Sequence, residues 1–149
     1  MHAATGSWLA WLEALPLSVA MREWLWLYPM VEIVHILGFV VVVGAAVLFD
    51  LRLLGLAPRL SVGDLAGHLL SWSRAGLTLV VPSGLLMFAA HAAEMAGNPA
   101  FRLKLLLILA AGVNALVFHR GVYRRVDAWG CGPRTPAAAK AAGILSLVL

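Results

Sequence analysis

The sequence predicts an all-α integral membrane protein: an up-down helical bundle of three to four transmembrane helices, preceded by an interfacial amphipathic helix. Three observations predict it. Hydrophobic residues make up 62% of the chain and charged ones 12%, about half the share of a soluble domain. Three apolar stretches are each long enough to cross the roughly 30 Å of hydrocarbon in a bilayer. The charged residues, Arg74 apart, gather at or near the ends of those stretches. The whole chain, 1–149, reads as a single membrane domain.

Residues 7–28, "SWLAWLEALPLSVAMREWLWLY", hold four of the six tryptophans. Glu13, Pro16, Arg22 and Glu23 interrupt any spanning run here. Indole rings favour the headgroup zone, so one or two short helices lying on the membrane are expected. The segment has no basic leading region and no small-residue cleavage site after an apolar core, so it reads as mature protein and not as a signal peptide.

The first span is predicted over 29–54, with Pro29 in its first turn and Gly55 and Pro58 ending it. The second is predicted over 62–96, capped by Ser61, with Asp64 near the positive end of the helix dipole. Pro82 with Ser83 and Gly84 predicts a kink in it, and "GNP" stops it. The third span covers 100–126. Residues 137–149 begin another apolar helix that is too short to cross, and are expected to be the start of a fourth span.

Orientation follows from the basic residues. On the side where the first span begins lie Arg22, Arg102 and Lys104; on the other lie Arg52, Arg59, Arg120, Arg124, Arg125, Arg134 and Lys140. Seven against three places the second side in the cytoplasm and the N-terminus in the periplasm of a bacterial inner membrane. The pI of about 10.0 is explained by these flanking residues, with no nucleic-acid partner. The single cysteine, Cys131, excludes an internal disulfide and reads as a small turn residue. No phosphate-binding glycine loop, nucleophile elbow or paired-cysteine metal motif is present.

The histidines carry the candidate chemistry. His35, His68, His91 and His119 lie on the predicted spans, where ionisable residues are costly and face an interior, a partner or a cavity. Counting depth along antiparallel spans pairs His35 with His91 on the outer side and His68 with His119 on the inner side. Two imidazoles from different helices suit the axial positions of a b-type haem, because they fill them without adding buried charge. Gly38 and Gly67 give the flat macrocycle room, Arg74 is placed to meet a propionate, with snorkelling to the interface as its plainer fate, and Asn114 or Glu32 to orient a ligand. One objection is geometric. His68 and His91 are 23 residues apart, so on one helix they point roughly 140° apart with about 34 Å between them. One haem, or none, is therefore expected before two, and histidines near span ends are also at home as plain interfacial or packing residues.

Other readings compete. Met87, His91 and Met95 recur every four residues and offer soft ligands for copper. Glu32 and His35 form one E-x-x-H pair, but a di-iron bundle needs two, so a local hydrogen bond is the plainer account. Asp50 and Arg52 are expected at the cytoplasmic interface, facing headgroups or nearby loop charges. "HRGVYRR", 119–125, reads as a basic stop at anionic lipid.

"EIVHILGFVVVVGAAVLFDLRLLG" and "FRLKLLLILAAGVNALVFHRGVY" resemble an uncharacterised family of small bacterial membrane proteins with four predicted spans. The likeness covers most of 24–149. It implies a fold, with a histidine early in the first span, D-x-R-L-L-G after it and F-H late in the third. It implies no activity, and it implies that the last helix continues. A looser likeness to small di-haem b cytochromes rests on membrane histidines alone.

Three functions are thus expected. The first is a membrane haem-b electron carrier or redox subunit with bis-histidine ligation, whose partner is quinol or a periplasmic redox protein and which does no bond chemistry itself. The second is a cofactor-free accessory subunit of a larger membrane complex, packed against other subunits or copies of itself. The third is a copper or proton conductor using Met87, His91, Met95 and Glu32.

Overall fold

The computed structural model describes residues 3–121 and 135–149. Among them it is helical and without strands, as an all-α bundle requires. The helices are α1 (Ala3–Glu13), α2 (Pro16–Glu23), α3 (Leu27–Leu54), α4 (Val62–Ala90), α5 (Ala92–Gly97), α6 (Pro99–Arg120) and α7 (Ala137–Val148). Helices α3, α4 and α6 are each long and apolar enough to cross a membrane, which makes the chain a multi-pass membrane protein in contact with lipid. Twelve residues of α7 rise about 18 Å, short of a full crossing. The end of the expected third span at 121–126 is largely outside the described residues, as are Cys131 and most of the basic stop.

The residues pack as two units. The first comprises Met1–Val40 and Ala75–Lys104. Here Pro16 starts α2 at its first turn, so the N-terminal segment is two short helices. Arg22 ties them to the end of α4: Nη1 donates to the Ala90 carbonyl and Nη2 to the Glu13 carbonyl, each at 2.8 Å. The Glu13 carboxylate accepts from the Ala93 N–H at 2.8 Å, satisfying an orphan donor at the start of α5. Met21, Ala90 and Ala92 are buried beneath this clasp. Replacing Glu13 by alanine is expected to cost about 1 kcal/mol, the usual worth of an N-terminal cap. Thermal unfolding in detergent checks it, and Glu23→Ala, on an exposed residue, is the control.

The clasp corrects one expectation. The second span does not run unbroken to 96; α4 stops at Ala90, and His91 (φ −136°, ψ 44°) turns the chain into α5. The Ala90 carbonyl and the Ala93 N–H serve Arg22 and Glu13, and the His91 N–H bonds to the Phe88 carbonyl in a tighter turn. Met87 and Met95 therefore belong to different helices, and the every-fourth-residue face expected for copper is interrupted. Asn98 ends α5 and starts α6, its Oδ1 accepting from the Ala100 N–H at 2.9 Å.

The second unit comprises Val41–Arg74 and Leu105–Leu149. Gly55, at φ 110°, ends α3 as expected: its N–H bonds to the Arg52 carbonyl and the Leu56 N–H to the Leu51 carbonyl. Ser61 caps α4 through the Asp64 N–H at 3.3 Å. Leu53, Val62, Phe118 and Ala139 form a core, with the Phe49 and Phe118 rings edge to face. Asn114 donates to the Ala142 carbonyl at 3.0 Å, joining α6 to α7.

Asp50 and Arg52 do not face headgroups. They are 6% and 2% exposed. Arg52 Nε donates to the Leu60 carbonyl at 2.8 Å and Nη2 to the Pro58 carbonyl at 3.4 Å, so it closes the loop after α3. Asp50 lies against Gly143 of α7 and is hydrogen-bonded by Ser146. A loop and a short helix rich in backbone acceptors and small residues give both polar groups better partners than water at a helix end.

Candidate functional site

His35 is held where α3 meets α4. Gly38, one turn along α3, is buried because a Cβ there would lie 2.9 Å from Leu79 Cβ and 3.0 Å from the Gly76 carbonyl oxygen. That close approach brings the His35 ring against Gly84, whose own missing Cβ leaves room for the imidazole edge. The His35 Nδ1 lies 3.1 Å from the Val80 carbonyl and 3.0 Å from Ser83 Oγ. Ser83 is buried, and its hydroxyl is 2.5 Å from the Leu79 carbonyl, to which it donates.

This arrangement selects a tautomer. A carbonyl can only accept, so Nδ1 carries the proton toward Val80, with Ser83 Oγ as second acceptor. Nε2 of the neutral ring then holds the lone pair. A fixed Nδ1–H with Nε2 free is the form in which histidine accepts a proton or ligates a metal. Glu32, one turn earlier, is exposed, and the Nδ1 bond goes to α4 in place of a local pairing.

His91 has other neighbours. It is half-buried at the α4–α5 turn, with its ring edge-on to Tyr28 at 5.4 Å. Its Nδ1 is buried without a hydrogen-bond partner among the described residues. It follows Ser83 by eight residues, about 12 Å of helical rise. The two outer histidines thus sit at different depths, and no hydrogen bond or ring contact joins them among the described residues.

In the second unit, the His68 Nδ1 lies 3.0 Å from the Asp64 carbonyl and the His119 Nδ1 2.8 Å from the Ala115 carbonyl. Each ring is folded back on its own helix, and His119 also meets Phe118 edge to face. His68 is exposed and His119 half-buried. Arg74 is exposed on α4. A groove of about 310 Å³ between α3 and α4 is lined by Val34, Thr78, Pro82 and Ser83 among others, without a histidine. Among the described residues, no three His, Cys, Asp or Glu side chains converge as a metal site.

For an iron porphyrin the fit is partial. His35 supplies one oriented donor, while the helices beside it are in contact at Gly38. A haem held there would supply one-electron redox chemistry, with His35 Nε2 as its protein ligand.

The partners of His35 were not predicted from the sequence. The signal for them is "VPSG": proline removes a backbone donor from the helix, and the serine beside it is a polar group that a neighbouring imidazole can use. Comparison with family models, with curated proteins and with solved structures finds no match to this chain.

Proposed function

We propose that the chain is a helical accessory subunit of the bacterial inner membrane, with a periplasmic N-terminus, in which His35 holds two helices together and which works by packing against other membrane helices. The observation that carries this reading is the use made of polar side chains. His35, Arg52 and Asn114 each bond a backbone carbonyl on another segment of the same chain. In a bilayer such bonds satisfy groups that lipid cannot, so they are structural assets without any chemistry. The three spans also bury only 11%, 17% and 6% of their most apolar windows within the chain, leaving long helix faces for lipid and for partner helices. The excess of basic residues on the side of Arg52, Arg59 and Arg120 supports the orientation.

One observation favours a second reading, the haem-b redox subunit: the fixed tautomer that leaves Nε2 of His35 as a Lewis base. In that reading quinol or a periplasmic redox protein exchanges electrons with the iron.

A reduced-minus-oxidised spectrum of protein purified in mild detergent separates the two. The expected result is no b-type band, no stoichiometric iron or copper, and a particle larger than one 15.9 kDa chain. A b-type band that His35→Ala abolishes would overturn the first reading and establish the second.

A further inference from the structure

Asp64, His68, Ser71 and Arg74 follow one another at steps of four, three and three residues, which sets them on one face of α4. All four are exposed. Two are already occupied locally: the His68 Nδ1 by the Asp64 carbonyl at 3.0 Å and the Ser71 hydroxyl by the Gly67 carbonyl at 3.1 Å. The Arg74 guanidinium has no hydrogen-bond or ion-pair partner among the described residues.

Its depth makes that costly. Leu53 and Val62 meet in one core cluster across a short loop. Twelve residues back along α3 and twelve forward along α4 bring Arg74 to the level of Val41, about 18 Å from that end. Val41 is the midpoint of 33–49, a run without Asp, Glu, Lys or Arg. Arg74 therefore lies near the middle of the hydrocarbon, about 15 Å from either headgroup layer, and its side chain is much shorter than that. An unpaired guanidinium facing lipid tails at this depth is strongly disfavoured.

We infer that this face of α4 docks a transmembrane helix of a different polypeptide, one that carries an aspartate or glutamate at mid-membrane depth to pair with Arg74. Charge complementarity selects the occupant. A headgroup phosphate is out of reach. A second copy related by an axis along the membrane normal would bring Arg74 to Arg74 at equal depth, where like charges repel. Gly67, on the same face, has nothing within 4 Å of where a Cβ would stand, so a partner backbone can come close. The inference rests on the accessory-subunit reading, but it is tested by helix association and not by a spectrum, so the two can fail separately.

The probe is a synthetic alanine–leucine transmembrane peptide with one central aspartate, compared with the same peptide bearing central leucine or lysine. Association with the full chain is read by energy transfer in phosphatidylcholine vesicles. The aspartate peptide is expected to bind about tenfold more tightly than the leucine one, the order given by interhelical polar contacts in lipid. Arg74→Leu should remove that difference, and Arg74→Glu should transfer the preference to the lysine peptide. Equal binding of the three peptides to the unmodified chain would overturn the inference without reference to any variant. So would a preference that survives Arg74→Leu, or cross-linking of Ser71→Cys copies to one another through this face.

Discussion

Replacing Arg52 by leucine is expected to lower the unfolding free energy of the detergent-solubilised protein by about 3 kcal/mol, with the helix content of the folded state unchanged. The side chain is almost wholly buried and gives one strong hydrogen bond to Leu60 and a longer one to Pro58. Bonds from a charged donor are worth about 1.5–3 kcal/mol each, and the one at 3.4 Å is near the geometric limit and contributes less. Leucine fills much of the volume and removes the cost of burying a charge, which offsets part of the loss. It leaves the carbonyls of Leu60 and Pro58 without their donor, and that sets the sign. Arg52→Lys should fall between, because an ammonium cannot reproduce the planar fork that reaches two carbonyls at once. Unfolding in mixed micelles measures all three proteins. Equal stability of Arg52→Leu and the unmodified chain would mean that the loop after α3 is held by something else.

Gly38→Val should be the other severe change. The added Cβ meets Leu79 Cβ and Val80 Cγ2 at 2.9 Å and the Gly76 carbonyl oxygen at 3.0 Å. Side chains can turn away, but a helix backbone cannot, so α3 and α4 must separate along this stretch. Overpacking of this kind costs about 1–3 kcal/mol, and the branched side chain places the result at the upper end. Separation also pulls the His35 ring from Val80 and Ser83. Nitrogen NMR of labelled histidine should then show His35 lose its Nδ1–H preference. Gly44→Ala supplies the contrast. Nothing lies within 4 Å of its Cβ position, and alanine is the better helix former by up to about 1 kcal/mol, so that variant should be neutral or slightly stabilised. If both substitutions behaved alike, the close approach at Gly38 would be refuted.

Much of the fold is legible in the sequence because local rules decide it. The stop at Gly55, the Ser61 cap and the Asn98 junction each depend on a few adjacent residues, and each forms as those residues dictate. The three spans follow from length and apolarity in the same way. The break at His91 is not legible, because its causes lie at Glu13 and Arg22, distant in sequence. The burial of Asp50 and Arg52 is hidden for a related reason: composition places polar residues at a helix end, but only the neighbouring loop and α7 decide which way they turn. The histidines show the same division. Numbering gives their depth, whereas the bonds of each ring are set by neighbours: α4 for His35, Tyr28 for His91, and their own helices for His68 and His119.

The clasp of Glu13 and Arg22 also sets an order on biogenesis. Their partners lie 80 and 68 residues further along the chain. The ribosome must therefore deliver two complete hydrophobic hairpin arms to the insertion machinery before the N-terminal segment can fasten. Until then the earliest-made part of the protein waits, tethered but unlatched, and the corner near Ala90 is the event that locks it.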